Sequence, residues 1–166
     1  MKRFLAALAL MLVLPVLASA SVLLVELPEE AQMVENVAFD DGDFIQTYQL
    51  GGGASVQLVR YASFEMTLGD LIASEWVGAT DVRELGMSEV GGCPAQGLRF
   101  AYQEEGQDAL DVTLVVVDAD ETLVFTAVYP AALGTAQIDA YVQAMLSSMG
   151  VSSEGTEAAD ATAEVG

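Results

Sequence analysis

Carboxylates are the reactive groups that this sequence offers in greatest number. It has 25 Asp and Glu residues, no histidine and a single cysteine. Without histidine, the Ser-His-Asp and Cys-His arrangements of nucleophilic catalysis are excluded, as is the commonest ligand of zinc and copper. The chemistry that remains is that of carboxylates, namely acid–base catalysis by a pair of carboxyl groups or the binding of a cation.

Two short acidic segments concentrate these carboxylates. They are Asp40, Asp41 and Asp43 in the first segment and Asp118, Asp120 and Glu121 in the second. Oxygen ligands of this kind suit calcium, but neither spacing matches the EF-hand loop. Asp and Gly favour turns without any ligand, so we predict two solvated turns, with a calcium or other hard-cation site as the alternative.

Two other features have structural explanations. Cys93 lies between Gly92 and Pro94, which predicts a turn entering a strand with a small, half-buried side chain, and one cysteine forms no disulfide within the chain. The glycines at 51–53 are not followed by a lysine and a helix, so they predict a hairpin turn and not a phosphate loop.

The N-terminus has the three parts of a secretory signal peptide in order. Lys2 and Arg3 give a positive start, residues 4–17 are apolar, and residues 18–20 read Ala-Ser-Ala. We therefore expect cleavage after Ala20. The first residue after the cut is Ser21 and not a cysteine, so a lipid anchor at the mature N-terminus is not expected. The apolar run is also shorter than a membrane span requires. The predicted location is the cell envelope or the medium.

The charge balance narrows the class of partner. The net charge is −20, and removal of the two N-terminal cations leaves three arginines and 25 acidic residues, so three minus 25 gives −22. Such a surface repels nucleic acid and anionic lipid, so neither is an expected partner. A protein partner with a basic surface is favoured, although the charge also serves solubility by itself.

Hydrophobic patterning predicts the elements of the mature part. Residues 22–27 read as a first strand, and residues 29–43 are polar with a turn at 40–43. Residues 44–50 and 55–61 form a hairpin. Thr67 and Asp70 have capping-box spacing at the start of a helix whose apolar face ends at Trp76. Trp76 is expected to close the core, with a partly exposed anchor for an interaction as the alternative.

The second half has the strongest periodicity. Residues 82–90 and 95–103 are predicted strands, and residues 111–117 and 122–129 read as central strands paired antiparallel and covered on both faces. A final helix is predicted from Thr135, as its cap, to Gly150. Its apolar face combines Ile138, Tyr141, Val142, Met145, Leu146 and Met149.

These elements predict an α+β fold in which two helices sandwich an antiparallel β-sheet. The predicted element order is β-β-β-α-β-β-β-β-α. The expected organisation is a signal peptide at 1–20, one α+β domain at 21–150 and a disordered acidic tail at 151–166.

The arrangement over residues 22–150 resembles the PsbP/Mog1-like family. The resemblance is carried by the hairpin at 44–61 and by the segments YASFEMTLGDLIASEW, VGGCPAQGLRFAY, DVTLVVVD, ETLVFTAVYP and QIDAYVQAMLSSM. Gly92, Ala95 and Pro130 match a glycine-small lead into a strand and a proline before the last helix. The resemblance implies a mostly non-catalytic binding domain and assigns no functional residue.

Three hypotheses for function follow. The first is a secreted, non-enzymatic binding module for a protein with a basic surface or for an envelope component. The second is an extracellular domain that binds calcium or another hard cation at the acidic turns. The third is a carboxylate-dependent hydrolase, which requires two carboxyl groups ~5–10 Å apart in a cleft. The sequence does not give the oligomeric state.

Overall fold

The computed structural model describes residues 20–153, so the predicted signal peptide up to residue 19 and the tail from residue 154 lie outside the described residues. The elements follow one another in this order: β1 (Ser21–Leu24), β2 (Gln32–Ala38), β3 (Phe44–Gln49), β4 (Ser55–Tyr61), α1 (Leu68–Glu75), β5 (Thr80–Glu84), β6 (Glu89–Val90), β7 (Cys93–Tyr102), β8 (Leu110–Asp118), β9 (Thr122–Pro130), α2 (Thr135–Ser148) and β10 (Gly150–Ser153).

One antiparallel sheet dominates the fold. Its strands lie in the order β2-β3-β4-β9-β8-β7-β5, with β6 paired to β7, while β1 and β10 form a separate two-stranded sheet. The β8–β9 pairing runs without a register shift from Leu110 opposite Pro130 to Asp118 opposite Thr122. The predicted antiparallel pairing of the two central strands is confirmed.

The two helices cover opposite faces of this sheet. Successive strand residues point to opposite faces. In β9, Phe125 belongs to the apolar cluster that contains the buried face of α2, whereas Val124 belongs to the cluster that contains Leu71 of α1. Both faces of β8 and β9 are therefore buried, and the predicted α+β sandwich is confirmed.

The start of α1 has the predicted capping box. The Asp70 backbone N–H donates to Thr67 Oγ1 at 3.1 Å, and the Thr67 N–H donates to Asp70 Oδ2 at 3.1 Å. These hydrogen bonds hold the pKa of the Asp70 carboxyl below its usual value. They also satisfy two N–H groups that the first helical turn leaves unpaired.

The start of α2 differs from the prediction. Gly134 is the N-cap, with φ +85°, and Thr135 is the first helical residue without a capping hydrogen bond from its side chain. Glycine adopts this backbone conformation without the steric conflict of a Cβ atom, so it turns the chain out of the preceding 3₁₀ segment.

Two strand predictions and the start of the predicted tail need correction. Residues 32–38, predicted as part of a polar connection, form the edge strand β2. Residues 82–90, predicted as one strand, form two strands separated by residues 85–88. Residues 150–153 form β10 beside β1, so the folded chain continues past residue 150, into the segment predicted as tail.

A buried arginine joins α2 to the sheet. Arg99 on β7 donates from Nε and Nη2 to the two carboxylate oxygens of Asp111, at 2.7 and 2.8 Å. Its Nη1 donates to Asp139 Oδ1 of α2 at 2.5 Å. The bonds to Asp111 are the main reason that the pKa of Arg99 lies above its usual value.

Within residues 20–153, neither helix is long and apolar enough to cross a membrane.

Candidate functional site

The candidate site is a cleft of about 400 Å³ beside the N-terminus of α1. It lies where β8 ends and β7 and β9 begin, and the segment 85–88 forms one side. We call it the carboxylate-rimmed cleft. The residues that line it are Glu65, Met66, Thr67, Met87, Ser88, Pro94, Ala95, Gln96, Val116, Asp118 and Thr122.

Hydrogen bonds from two backbone N–H groups fix the two sides of the cleft. The Met66 N–H donates to Thr122 Oγ1 at 3.4 Å, which joins the entry of α1 to the start of β9. On the other side, the Ala95 N–H donates to the Ser88 carbonyl at 3.0 Å. Met66 and Met87 thus enter the cleft from segments held by the sheet. Unbranched methionine side chains adapt to ligands of different shape.

A second hollow, of about 280 Å³, adjoins the cleft and contains the second acidic turn. Glu65, Asp118 and Thr122 line both cavities, while Asp120 and Glu121 line the second one alone. The structure therefore places all three carboxylates predicted in this turn beside the cleft, with Glu65 as an additional one.

Glu121 already has a partner in the fold. Its Oε2 accepts a hydrogen bond at 3.1 Å from the backbone N–H of Ser21, which is 3% exposed. This contact joins β1 to the turn between β8 and β9. Of the three predicted carboxylates, Glu121 therefore has a structural role that the sequence did not indicate.

The first acidic turn lies against the same part of the chain. Asp43 Oδ1 accepts a 2.7 Å hydrogen bond from the N–H of Ala62, which also lines the second hollow. Asp41 Oδ1 accepts from the Asp43 N–H at 3.0 Å, so this carboxylate closes its own turn. Burial, followed by the charges of Glu75 and Asp43, raises the pKa of the nearby Tyr61 phenol.

The cleft is negative and has no cation of its own among residues 20–153. Arg60 Nε donates a hydrogen bond to the Gly42 carbonyl oxygen at 2.9 Å, and its Cζ lies 5.7 Å from the Phe44 ring centroid. Arg99 is held by its two aspartates on the other face of the sheet. An incoming positive group therefore meets carboxylates here without competition from a lining lysine or arginine.

The carboxylates of the two acidic turns are not gathered into one cluster. Within the described part of the chain, no group of three or more His, Cys, Asp or Glu side chains is arranged to hold a metal ion. Asp40, Asp41 and Asp43 occupy one turn and Asp118, Asp120 and Glu121 another, without a shared coordination sphere. Binding of calcium or another hard cation at either turn stays a prediction.

Cys93 lies at the first position of β7 and is half-buried against the apolar cluster beneath α2. A small packing side chain at the entry to a strand is what the sequence predicts at this position. Cys93 is not one of the residues that line the cleft.

Most of the cleft could not be found from sequence. Its apolar members come from four separate segments and share no spacing; they are Met66, Met87, Pro94, Ala95 and Val116. Gly86 lies within the predicted strand at 82–90 and interrupts its pattern, which is a signal of a break in that strand. The structure places Met87 in that break.

Comparison with solved structures finds similar chains, whereas comparison of the sequence finds none. No family model matches the chain, and no curated protein sequence matches it. A crystal structure of LpqN, described as involved in cell envelope biogenesis of Mycobacterium tuberculosis, is similar with a TM-score of 0.45 and 11% sequence identity. The similarity covers 81% of this chain and 85% of that one. Membership of the PsbP/Mog1-like family stays a prediction.

Proposed function

We propose that this protein is an exported, non-catalytic binding module whose carboxylate-rimmed cleft takes a basic segment of a protein partner. The observation that carries the proposal is the combination of an apolar floor, with Met66, Met87 and Val116, and a rim with Glu65 and Asp118. Lysine and arginine side chains have an apolar stem and a charged end. Such a side chain matches the floor with its stem and the rim with its charge.

The absence of histidine from the sequence supports a non-catalytic role, because the commonest general base is missing.

The net negative charge of the whole chain also supports the proposal. A net negative surface accelerates encounter with a positive partner and makes the association rate sensitive to salt. The cleft then supplies the short-range contacts that general attraction lacks.

The proposed binding is tested with a short fluorescent peptide of alternating lysine and leucine, followed by anisotropy at low and physiological salt. Combined replacement Glu65→Gln with Asp118→Asn is expected to weaken binding about tenfold, corresponding to ~1.4 kcal/mol. Met87→Gln is expected to weaken it without changing the charge. A peptide of alternating glutamate and leucine should not bind.

The matched control is Glu104→Gln with Asp108→Asn, which removes the same charge away from the cleft, at the hairpin between β7 and β8. This control should keep nearly the full affinity. Equal losses for the two double variants would show general charge attraction and overturn the cleft as the site. Failure of the lysine peptide to bind at low salt would overturn it as well.

Export is part of the proposal, and the start of the folded body supports it. The compact unit begins at Ser21, the residue that follows the predicted cut. Cleavage there would turn the Ser21 N–H into an ammonium group facing Glu121, so that an ion pair would replace the hydrogen bond.

Expressed with its own leader in a bacterial host, the exported protein should have the intact mass of residues 21–166. The control is Ala20→Leu, which should block processing because the cleavage site requires small side chains. Accumulation of the full-length chain in the cytosol, with no processed form, would contradict export.

A further inference from the structure

A second concave site lies at the opposite end of α1, in a hollow of about 430 Å³ formed where the helix ends against β7 and the hairpin that follows it. This volume falls within the usual range of small-molecule sites, ~300–1,000 Å³. We call it the aromatic corner. Its lining residues are Trp76, Tyr102, Glu104, Gln107, Asp108, Leu110 and Pro130.

The aromatic side chains form two perpendicular walls. The rings of Trp76 and Tyr102 have centroids 5.0 Å apart and planes at 89°. Trp76 also contacts Phe100, with centroids 5.7 Å apart and planes at 63°. Because Phe100 is 2% exposed, it fixes the indole from within the core. The two rings that line the hollow are therefore held in place before any ligand arrives.

The indole of Trp76 has an energetic cost that closing the core does not explain. Its Nε1–H is buried and has no hydrogen-bond partner among the residues that the structure describes. An unpaired buried donor costs ~1–3 kcal/mol, which a phenylalanine would avoid. What tryptophan adds is the most electron-rich aromatic face, and this face attracts cations more strongly than that of tyrosine or phenylalanine.

Carboxylates complete the corner. Glu104 Oε1 accepts a hydrogen bond at 3.1 Å from the Tyr102 hydroxyl, so one carboxylate is directed toward the aromatic wall. Asp108 lies on the same hairpin and lines the same hollow. Among residues 20–153, neither a lysine nor an arginine lines it. Two carboxylates therefore line the hollow together with two aromatic rings, and no cationic side chain in the lining neutralises them.

We infer that the aromatic corner is a binding site for a small quaternary ammonium compound of the choline type. Perpendicular aromatic faces with nearby carboxylates attract a cation whose charge is spread over methyl groups. A hard metal ion requires six or more oxygen ligands, and the two carboxylates here do not provide them. A primary ammonium group is strongly hydrated and loses more solvation when it contacts aromatic faces.

Trp76 is the only tryptophan in the sequence, so its fluorescence reports on this site alone. Titration of the full mature chain with choline chloride is expected to give a saturable change at millimolar concentrations. The uncharged analogue 3,3-dimethylbutan-1-ol has the same shape, and it should bind at least about tenfold more weakly because it lacks the charge. Sodium chloride at matched ionic strength should give no saturable change.

Two sets of variants locate the site. Glu104→Gln with Asp108→Asn keeps the fluorophore and should weaken choline binding severalfold, whereas Glu65→Gln with Asp118→Asn should leave it unchanged. Trp76→Leu, followed by calorimetry, should abolish binding, and its circular dichroism shows whether the chain is folded. Phe64→Ala removes an aromatic ring that is 50% exposed outside the corner and should have no effect.

Three outcomes would overturn the inference. They are no saturable response to choline, equal binding of choline and its uncharged analogue, and equal binding of choline and n-butylamine, which would indicate a general cation site. The inference does not depend on the proposed function, because the two double variants separate the corner from the cleft. Either site can fail its test while the other passes.

Discussion

Replacement of Arg99 by alanine is expected to lower the free energy of unfolding by about 3 kcal/mol. The Arg99 side chain is 11% exposed, and Asp111, to which it makes two hydrogen bonds, is 21% exposed. Removal of the guanidinium leaves a largely buried carboxylate without its counter-ion, and it also breaks the link to Asp139 on α2. Urea unfolding followed by Trp76 fluorescence measures the loss.

Two further variants show where this energy resides. Asp139 is 54% exposed, so Asp139→Asn should cost less than ~1 kcal/mol, as is usual for an exposed ion pair. Combined replacement Arg99→Met with Asp111→Leu should recover most of the stability lost in Arg99→Ala, because apolar side chains of similar volume remove the desolvation penalty. A loss in Arg99→Ala no larger than that in Asp139→Asn would refute this role.

The sequence predicted well those elements in which the positions of the apolar residues match the faces that are buried. Ile138, Val142 and Met145 share one face of α2 and are all buried, which is the pattern that a period of 3.6 residues predicts. The uninterrupted apolar runs of β8 and β9 predicted strands covered on both faces, since a solvated face would have required alternation.

Strand β2 was missed because nothing in it is buried. All residues of Gln32–Ala38 are exposed, and the strand is held at the edge of the sheet by pairing with β3. Backbone hydrogen bonds leave no mark on the hydrophobic pattern. A register irregularity between Met33 and Glu35 further disturbs the alternation that would have indicated a strand.

The pairing of β1 with β10 was missed for a different reason. It joins the two ends of the described chain, and no local pattern specifies a contact of that range. Val151 belongs to a segment of small and acidic residues, yet it packs against the apolar cluster beneath α2. Gly91 permits this approach, because a Cβ atom there would lie 2.7 Å from the Val151 backbone nitrogen.

Of the two candidate sites, the sequence predicted only residues that lie together in one segment of the chain. The turn with Asp118, Asp120 and Glu121 was identified from sequence, because three carboxylates lie within four positions. The apolar floor of the cleft and the perpendicular rings of the aromatic corner depend on contacts between distant strands and α1. Trp76 was expected to close the core, and its contact with Phe100 agrees with that, but its place in the hollow depends on Tyr102 and the hairpin.

Replacement of Tyr129 by alanine is expected to lower the free energy of unfolding by about 4 kcal/mol, the usual range for a large aromatic side chain in a core. Tyr129 lies on β9 and is fully buried. Its ring stacks on Tyr141 of α2, with centroids 6.0 Å apart and planes at 13°. Urea unfolding at neutral pH measures the loss, which should exceed that of the half-exposed Phe64→Ala.

Tyr129→Phe separates the ring from the hydroxyl. Among residues 20–153 the hydroxyl has a single weak hydrogen-bond contact, 4.0 Å from Met145 Sδ, so this variant should lose less than ~1 kcal/mol at neutral pH. Loss of several kcal/mol in Tyr129→Phe would contradict the assignment of the stability to ring packing.

The same phenol makes stability depend on alkaline pH. Burial, followed by the charges of Tyr141 and Asp111, raises the pKa of Tyr129 above that of an unfolded tyrosine, about 10, and Arg99 opposes this shift. Because the folded state holds the proton more tightly, this stabilisation is fully present below pH ~10 and is lost progressively above it. The wild-type chain should therefore lose stability more steeply than Tyr129→Phe in urea titrations above that pH. Parallel curves for the two proteins would show that the folded state does not shield this hydroxyl from ionisation.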